Sequence, residues 1–102
     1  IRLVRSRSSE WPLRADRIGI LGFSAGGELA AFAAMDSDNG KPDAPETLDR
    51  ASSRPNFQAL IYPGTSHLFD ARPGMPPVFI ACGYGDRPDI AEGMASLYLK
   101  YK

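Results

Sequence analysis

The sequence predicts an α/β protein: three layers, αβα, around a mainly parallel sheet. Three observations carry that expectation. Short apolar runs at 18–22, 57–62 and 78–82 are bounded by Gly or Pro, as strands buried in a sheet are. Helix-like segments lie at 25–35 and 90–102, and the links between the runs are long enough for the crossovers that parallel strands need. With 102 residues, 43% hydrophobic and 24% charged, the chain has the content of one modest globular domain.

The first segment, Ile1 to Trp11, spaces Ile1, Val4 and Trp11 loosely at helical intervals among arginines and stops at Pro12. It reads as the tail of a helix. Ile18-Gly19-Ile20-Leu21-Gly22 follows as a strand expected inside the sheet. Ala25 to Met35 is rich in Ala and Leu and predicts a helix with Leu29, Phe32 and Ala33 on its apolar side. From Asp36 to Asn56 the composition turns acidic and proline-containing, with no apolar period, so residues 36–56 are expected to be a variable acidic surface loop. Phe57 to Tyr62 is a second strand, halted by Pro63-Gly64. Val78 to Cys82 is a third, entered through Pro76-Pro77 and left at Gly83. Ile90, Met94, Leu97 and Tyr101 then define the buried side of a last helix, whose Lys100 and Lys102 suit its C-terminal dipole.

Charge and composition exclude some partner classes. Twelve basic residues balance twelve acidic ones, which gives no electrostatic footprint for nucleic acid or a membrane surface. One Cys cannot form an intrachain disulfide, and one Cys with one His cannot build a Cys/His zinc site. Asp36-Ser37-Asp38-Asn39-Gly40 has its glycine one place early for a calcium loop and lacks the closing glutamate, so it reads as solvated loop. Cys82 is expected to be a small buried hydrophobe.

The chemistry centres on Gly22-Phe23-Ser24-Ala25-Gly26-Gly27, a G-x-S-x-G string between a predicted strand and a predicted helix. The string alone is weak, and its position gives it meaning. A nucleophilic serine must project from a tight strand-to-helix turn, where side chains two before and two after would collide; Gly22 and Gly26 meet that demand. Gly27 allows close helix–strand packing. The N–H of Ala25, at the positive end of the helix dipole, is placed to donate to an oxyanion. The alternative is a glycine-rich phosphate-binding turn, but Ser24 occupies the place of the second Gly of G-x-G-x-x-G, and no G-K-[ST] follows. A triad of this order needs an acid in a loop beyond a later strand. Asp86, after Gly83-Tyr84-Gly85, qualifies, with a solvated turn aspartate as its bland reading; Asp89 is the rival and suits the start of the last helix better. His67 is the sole histidine and precedes Asp86, the wrong chain order for this pattern, so it is expected to line the site or face solvent, with a base in a substituted triad order as the alternative. Glu28 is read as a first-turn acid with a minor role toward substrate.

Taken together, Arg17 to Gly27, Leu60-Ile61-Tyr62-Pro63, Pro76 to Ile80 and Gly83 to Asp86 resemble the α/β-hydrolase esterases, in particular the acetyl-esterase and xylan-esterase-like branch. The resemblance implies a serine esterase for short acyl esters, often acetyl groups on sugars, with no metal or organic cofactor. It assigns Ser24 as nucleophile, Asp86 as acid and the Ala25 amide as half of the oxyanion hole. A peptidase of the same fold and a catalytically inert binding module remain alternatives. The family's His-Gly-Gly oxyanion loop and its His-Gly motif have no counterpart here and are expected before Ile1 and after Lys102. On this reading residues 1–102 are one partial domain from the centre of a longer enzyme.

Overall fold

A computed structural model describes all of residues 1–102. In chain order it contains α1 (Arg2–Ser6), β1 (Gly19–Phe23), α2 (Ala25–Met35), α3 (Thr47–Arg50), β2 (Phe57–Ile61), a 3-10 turn (Ser66–Leu68), β3 (Val78–Ala81) and α4 (Pro88–Tyr101). The strands form one parallel sheet in the order β1-β2-β3. No helix is long and apolar enough to cross a membrane.

The register decides which side chains share a face. Ile20 pairs with Gln58 and Gln58 with Val78, while Gly22 pairs with Leu60 and Leu60 with Ile80. These residues therefore line one face, and α2 and α4 cover it. Ala30, Ala31, Leu60, Ile90, Met94 and Leu97 are the centre of the core, joined by Phe69 from the β2–β3 connection. Phe69 meets Phe32 edge to face, with ring centroids 5.5 Å apart. The other face carries Leu21, Phe23, Phe57 and Phe79, all exposed, so of the three layers expected the chain supplies the sheet and one helical layer.

Several local expectations change. The helix read up to Pro12 stops at Ser6, and tight turns replace it. β1 is a sheet edge, not an interior strand, and Leu21 is 61% exposed. β3 is the opposite edge, with Phe79 62% exposed. In α2 the buried side is Gly27, Ala30, Ala31 and Ala34, whereas Leu29 is 70% exposed. Small residues let the helix axis approach the sheet closely, and that proximity outweighs the larger but outward Leu29. Loop 36–56 contains the short helix α3, and arginines from α1 hold the loop down: Arg2 pairs with Asp38 at 2.6 Å, and Arg5 donates to Ser52 O, Arg54 O and the Asn56 carboxamide oxygen. Cys82 is exposed because β3 ends at Ala81, just before it.

The predicted apolar side of α4 holds. Ile90, Met94 and Leu97 are buried, and Tyr101 is half-buried with its hydroxyl accepting from Gln58 Nε2 at 2.8 Å. That bond satisfies a polar side chain in the middle of the sheet. Burial pushes the Tyr101 phenol above its ordinary value, and the Gln58 bond partly opposes this.

Candidate active site

Parallel strands end at one edge, so the loops after β1, β2 and β3 are gathered there. The ladder runs one step past the strands, with Ser24 N donating to Ile61 O at 2.9 Å and Tyr62 N to Ala81 O at 2.7 Å. Ser24 therefore begins the row that Tyr62 and the Cys82–Asp86 turn continue.

Ser24 has φ 52° and ψ −123°, a region that costs a non-glycine residue roughly 1–3 kcal/mol. The turn is over-determined. Besides the Ser24 N bond, the Ser24 carbonyl accepts from Gly27 N at 2.9 Å and Glu28 N at 3.1 Å. The hydroxyl caps nothing and the residue is exposed. The N–H of Ala25, in the first turn of α2, has no acceptor in the fold, as the first amides of a helix lack intrahelical partners.

The three glycines have distinct grounds. A Cβ on Gly22 would run into the Gly26 carbonyl, so the strand and helix backbones touch there. A Cβ on Gly27 would lie 3.0 Å from Pro63 Cβ and 3.1 Å from Gly22 O, which is the close packing expected. Gly26 differs from expectation, since a Cβ there meets nothing within 4 Å. The steric demand falls on the Gly22 side chain against the Gly26 backbone, not on a Gly26 side chain.

Asp86 closes the turn after β3. Its N–H donates to Gly83 O at 3.1 Å, and its Oδ2 accepts from Gly83 N at 2.6 Å. Because β2 separates β1 from β3, the chains that carry Ser24 and Asp86 are two strand spacings apart, roughly 9–10 Å. The two side chains make no direct hydrogen bond; a triad places an imidazole between such groups. His67 does not take that place. It is exposed on the 3-10 turn and faces a groove beside α4, with Asp89, Glu92 and Ser96.

Asp89 is a first-turn acid of α4, after Pro88 at the helix start. Arg87 grips its carboxylate with two bonds, Nε to Oδ1 at 2.9 Å and Nη2 to Oδ2 at 2.8 Å. The guanidinium holds the Asp89 carboxyl below the ordinary carboxylate range, and Asp89 in turn raises Arg87. Glu28 reaches the same region from α2: a Cβ on Gly64 would strike Glu28 Oε1 and lie 3.6 Å from Arg87 Nη2. Sequence reasoning missed Arg87 and Gly64. Pro63-Gly64 read only as the end of a strand, although the position of Arg87 directly after Asp86 was a usable signal. It also missed Ser66, which is buried, donates from Oγ to Asp89 O at 2.7 Å and sits where a Cβ on Gly93 would be. This contact fixes the 62–69 loop against α4. No three His, Cys, Asp or Glu side chains are grouped as a metal site would need.

Comparison with known proteins gives three likenesses. Residues 1–75 match the model of a family described by the alpha/beta hydrolase fold. A curated acetylxylan esterase of Xylanibacter ruminicola is 34% identical over 62 residues, 61% of this chain and 10% of that protein. The crystal structure of an acetyl ester-xyloside bifunctional hydrolase from Caldicellulosiruptor lactoaceticus superposes with a TM-score of 0.83 at 26% identity, covering 97% of this chain and 46% of that one. The chain thus spans less than half the length of either relative.

Proposed function

From the membership of this chain in the alpha/beta hydrolase fold family, we propose that it carries the nucleophile elbow and acid loop of a serine carboxylic ester hydrolase acting on short acyl esters, acetylated sugars or xylan among them. The observation that carries the reading is Ser24: an exposed hydroxyl on a strained strand-to-helix turn, next to an unpartnered helix amide. One relative is named an acetylxylan esterase and the other an acetyl ester-xyloside bifunctional hydrolase, which supports the substrate class.

In the proposed reaction Ser24 Oγ attacks the acyl carbon while its proton passes to a histidine. The carbonyl oxygen becomes the oxyanion, toward which the Ala25 N–H donates. Collapse of the tetrahedral species expels the alcohol, which takes the proton from the histidine, and leaves an acyl-serine. Water then repeats the sequence and releases the acid. Asp86, with Oδ2 held by Gly83 N, orients that histidine through its other oxygen. His67 is not disposed for the part, so the reading takes the histidine and the remaining oxyanion donors from outside residues 1–102. Those residues are one αβ unit of the domain, with 36–56 as its variable loop.

The test is p-nitrophenyl acetate hydrolysis by the full-length protein. Ser24→Ala is expected to lower kcat by a factor of about 10⁴ or more, and undiminished turnover would falsify the assignment. The 102-residue chain alone is expected to react with a fluorophosphonate no faster than its Ser24→Ala variant. Rapid labelling there would show that the histidine lies within the chain.

A further inference from the structure

Glu28 and Arg87 arrive at the end of the central strand from opposite sides. Glu28 follows Ser24 by four residues and so stands one helical turn along the same side of α2. Arg87 directly follows Asp86. Their side chains converge over Gly64, which has no side chain to keep them apart, at the end of the strand that separates the proposed nucleophile from the proposed acid. Yet no ion pair joins them, because Arg87 is committed to Asp89. Their charged atoms are more than 4.0 Å apart, yet both lie near the Cβ position of Gly64, with Arg87 Nη2 3.6 Å from it. One hydroxyl oxygen can bridge such a gap with two hydrogen bonds of roughly 2.8 Å each.

We propose that Glu28 and Arg87 form a hydroxyl-binding subsite for the alcohol half of the ester, selecting a polyol such as a sugar. The inference rests on the ester hydrolase reading and adds which residues choose the alcohol. A sugar hydroxyl there donates to the Glu28 carboxylate and accepts from Arg87, two charge-assisted bonds that a simple alkyl or aryl ester cannot form. Asp89 keeps the guanidinium fixed, so little freedom is lost when the sugar binds. Ser66, bonded to Asp89 O, holds the start of α4 in place beneath it.

The experiment compares kcat/KM for an acetylated xylo-oligosaccharide with that for p-nitrophenyl acetate, in the full-length protein and in Glu28→Gln, Arg87→Gln and Gly64→Ala. Each variant is expected to lower the ratio of sugar ester to aryl ester about tenfold, mainly through KM for the sugar ester. Gly64→Ala is the independent arm: Gly64 has no positive φ, and its new Cβ displaces only the flexible end of Glu28. An unchanged ratio in all three, with both activities still abolished by Ser24→Ala, overturns the subsite and leaves the hydrolase reading standing. Ester cleavage that survives Ser24→Ala overturns both.

Discussion

Among single residues, a Cβ on Gly22 would run into the Gly26 carbonyl, while one on Gly26 meets nothing within 4 Å. Gly22→Ala is therefore expected to destabilise the fold by about 1–3 kcal/mol through overpacking, whereas Gly26→Ala stays within about 0.5 kcal/mol or gains slightly from helix propensity. Urea unfolding of the two variants checks this; equal losses would mean that Gly26 is also sterically required. Ser24 and Asp86 could be singled out in the sequence because the roles proposed for them depend on position along the chain, in loops after strands. Arg87 could not, since Asp89 is its neighbour along the chain but Glu28, from α2, comes near it only when the sheet is assembled.

Among the elements, the three strands, α2 and α4 followed from apolar runs and punctuation, with α2 at Ala25–Met35 as predicted, whereas α1 ends early and α3 lies in a segment read as loop. Which side of each element is buried depended on its neighbour. The apolar side of α4 was readable because large residues recur at helical spacing. That of α2 was readable only in part: Phe32 packs against core Phe69 as expected, but the buried stripe is Ala and Gly while Leu29 faces outward. Tyr101 of α4 and Gln58 of β2 bond across the core, and this gives a pH signature. The phenol's folded value is raised, so the stability it contributes is complete below its ordinary value near pH 10 and is lost as pH rises through the folded value. Tyr101→Phe is expected to cost about 1 kcal/mol at pH 7 and to flatten the fall in stability above pH 10. Thermal melts from pH 7 to 12 measure both, and an unchanged alkaline slope would refute it.

At the scale of the whole molecule, the Cα radius of gyration is 14.8 Å, against about 13 Å for a compact chain of this length. The excess reflects two features: a sheet with one face uncovered, and the α1 and 36–56 segments lying beside it. Arg5 links those segments, since its guanidinium donates to Ala15 O at 3.0 Å, Ser52 O at 2.6 Å, Arg54 O at 2.9 Å and Asn56 Oδ1 at 2.7 Å. Partial burial, and to a lesser degree the nearby Arg54, lower its pKa from the usual arginine value. Arg5→Ala is expected to cost about 2 kcal/mol by leaving carbonyls without their donor, and to speed amide hydrogen exchange in 51–56 more than in β2. Uniform exchange changes across the sheet would refute the local role.

The class of fold, the place of each strand and the strand-to-helix turn that carries the proposed nucleophile Ser24 could be read from the chain alone, because glycine placement and apolar runs are local properties. Assembly of the fold settled which sheet face is covered, that Gly22 and not Gly26 has backbone against its Cβ position, that His67 faces a groove beside α4, and that Glu28 and Arg87 both approach Gly64. Those outcomes depend on which segments become neighbours, and side chains from different elements acquire their distances only once the parallel register is set.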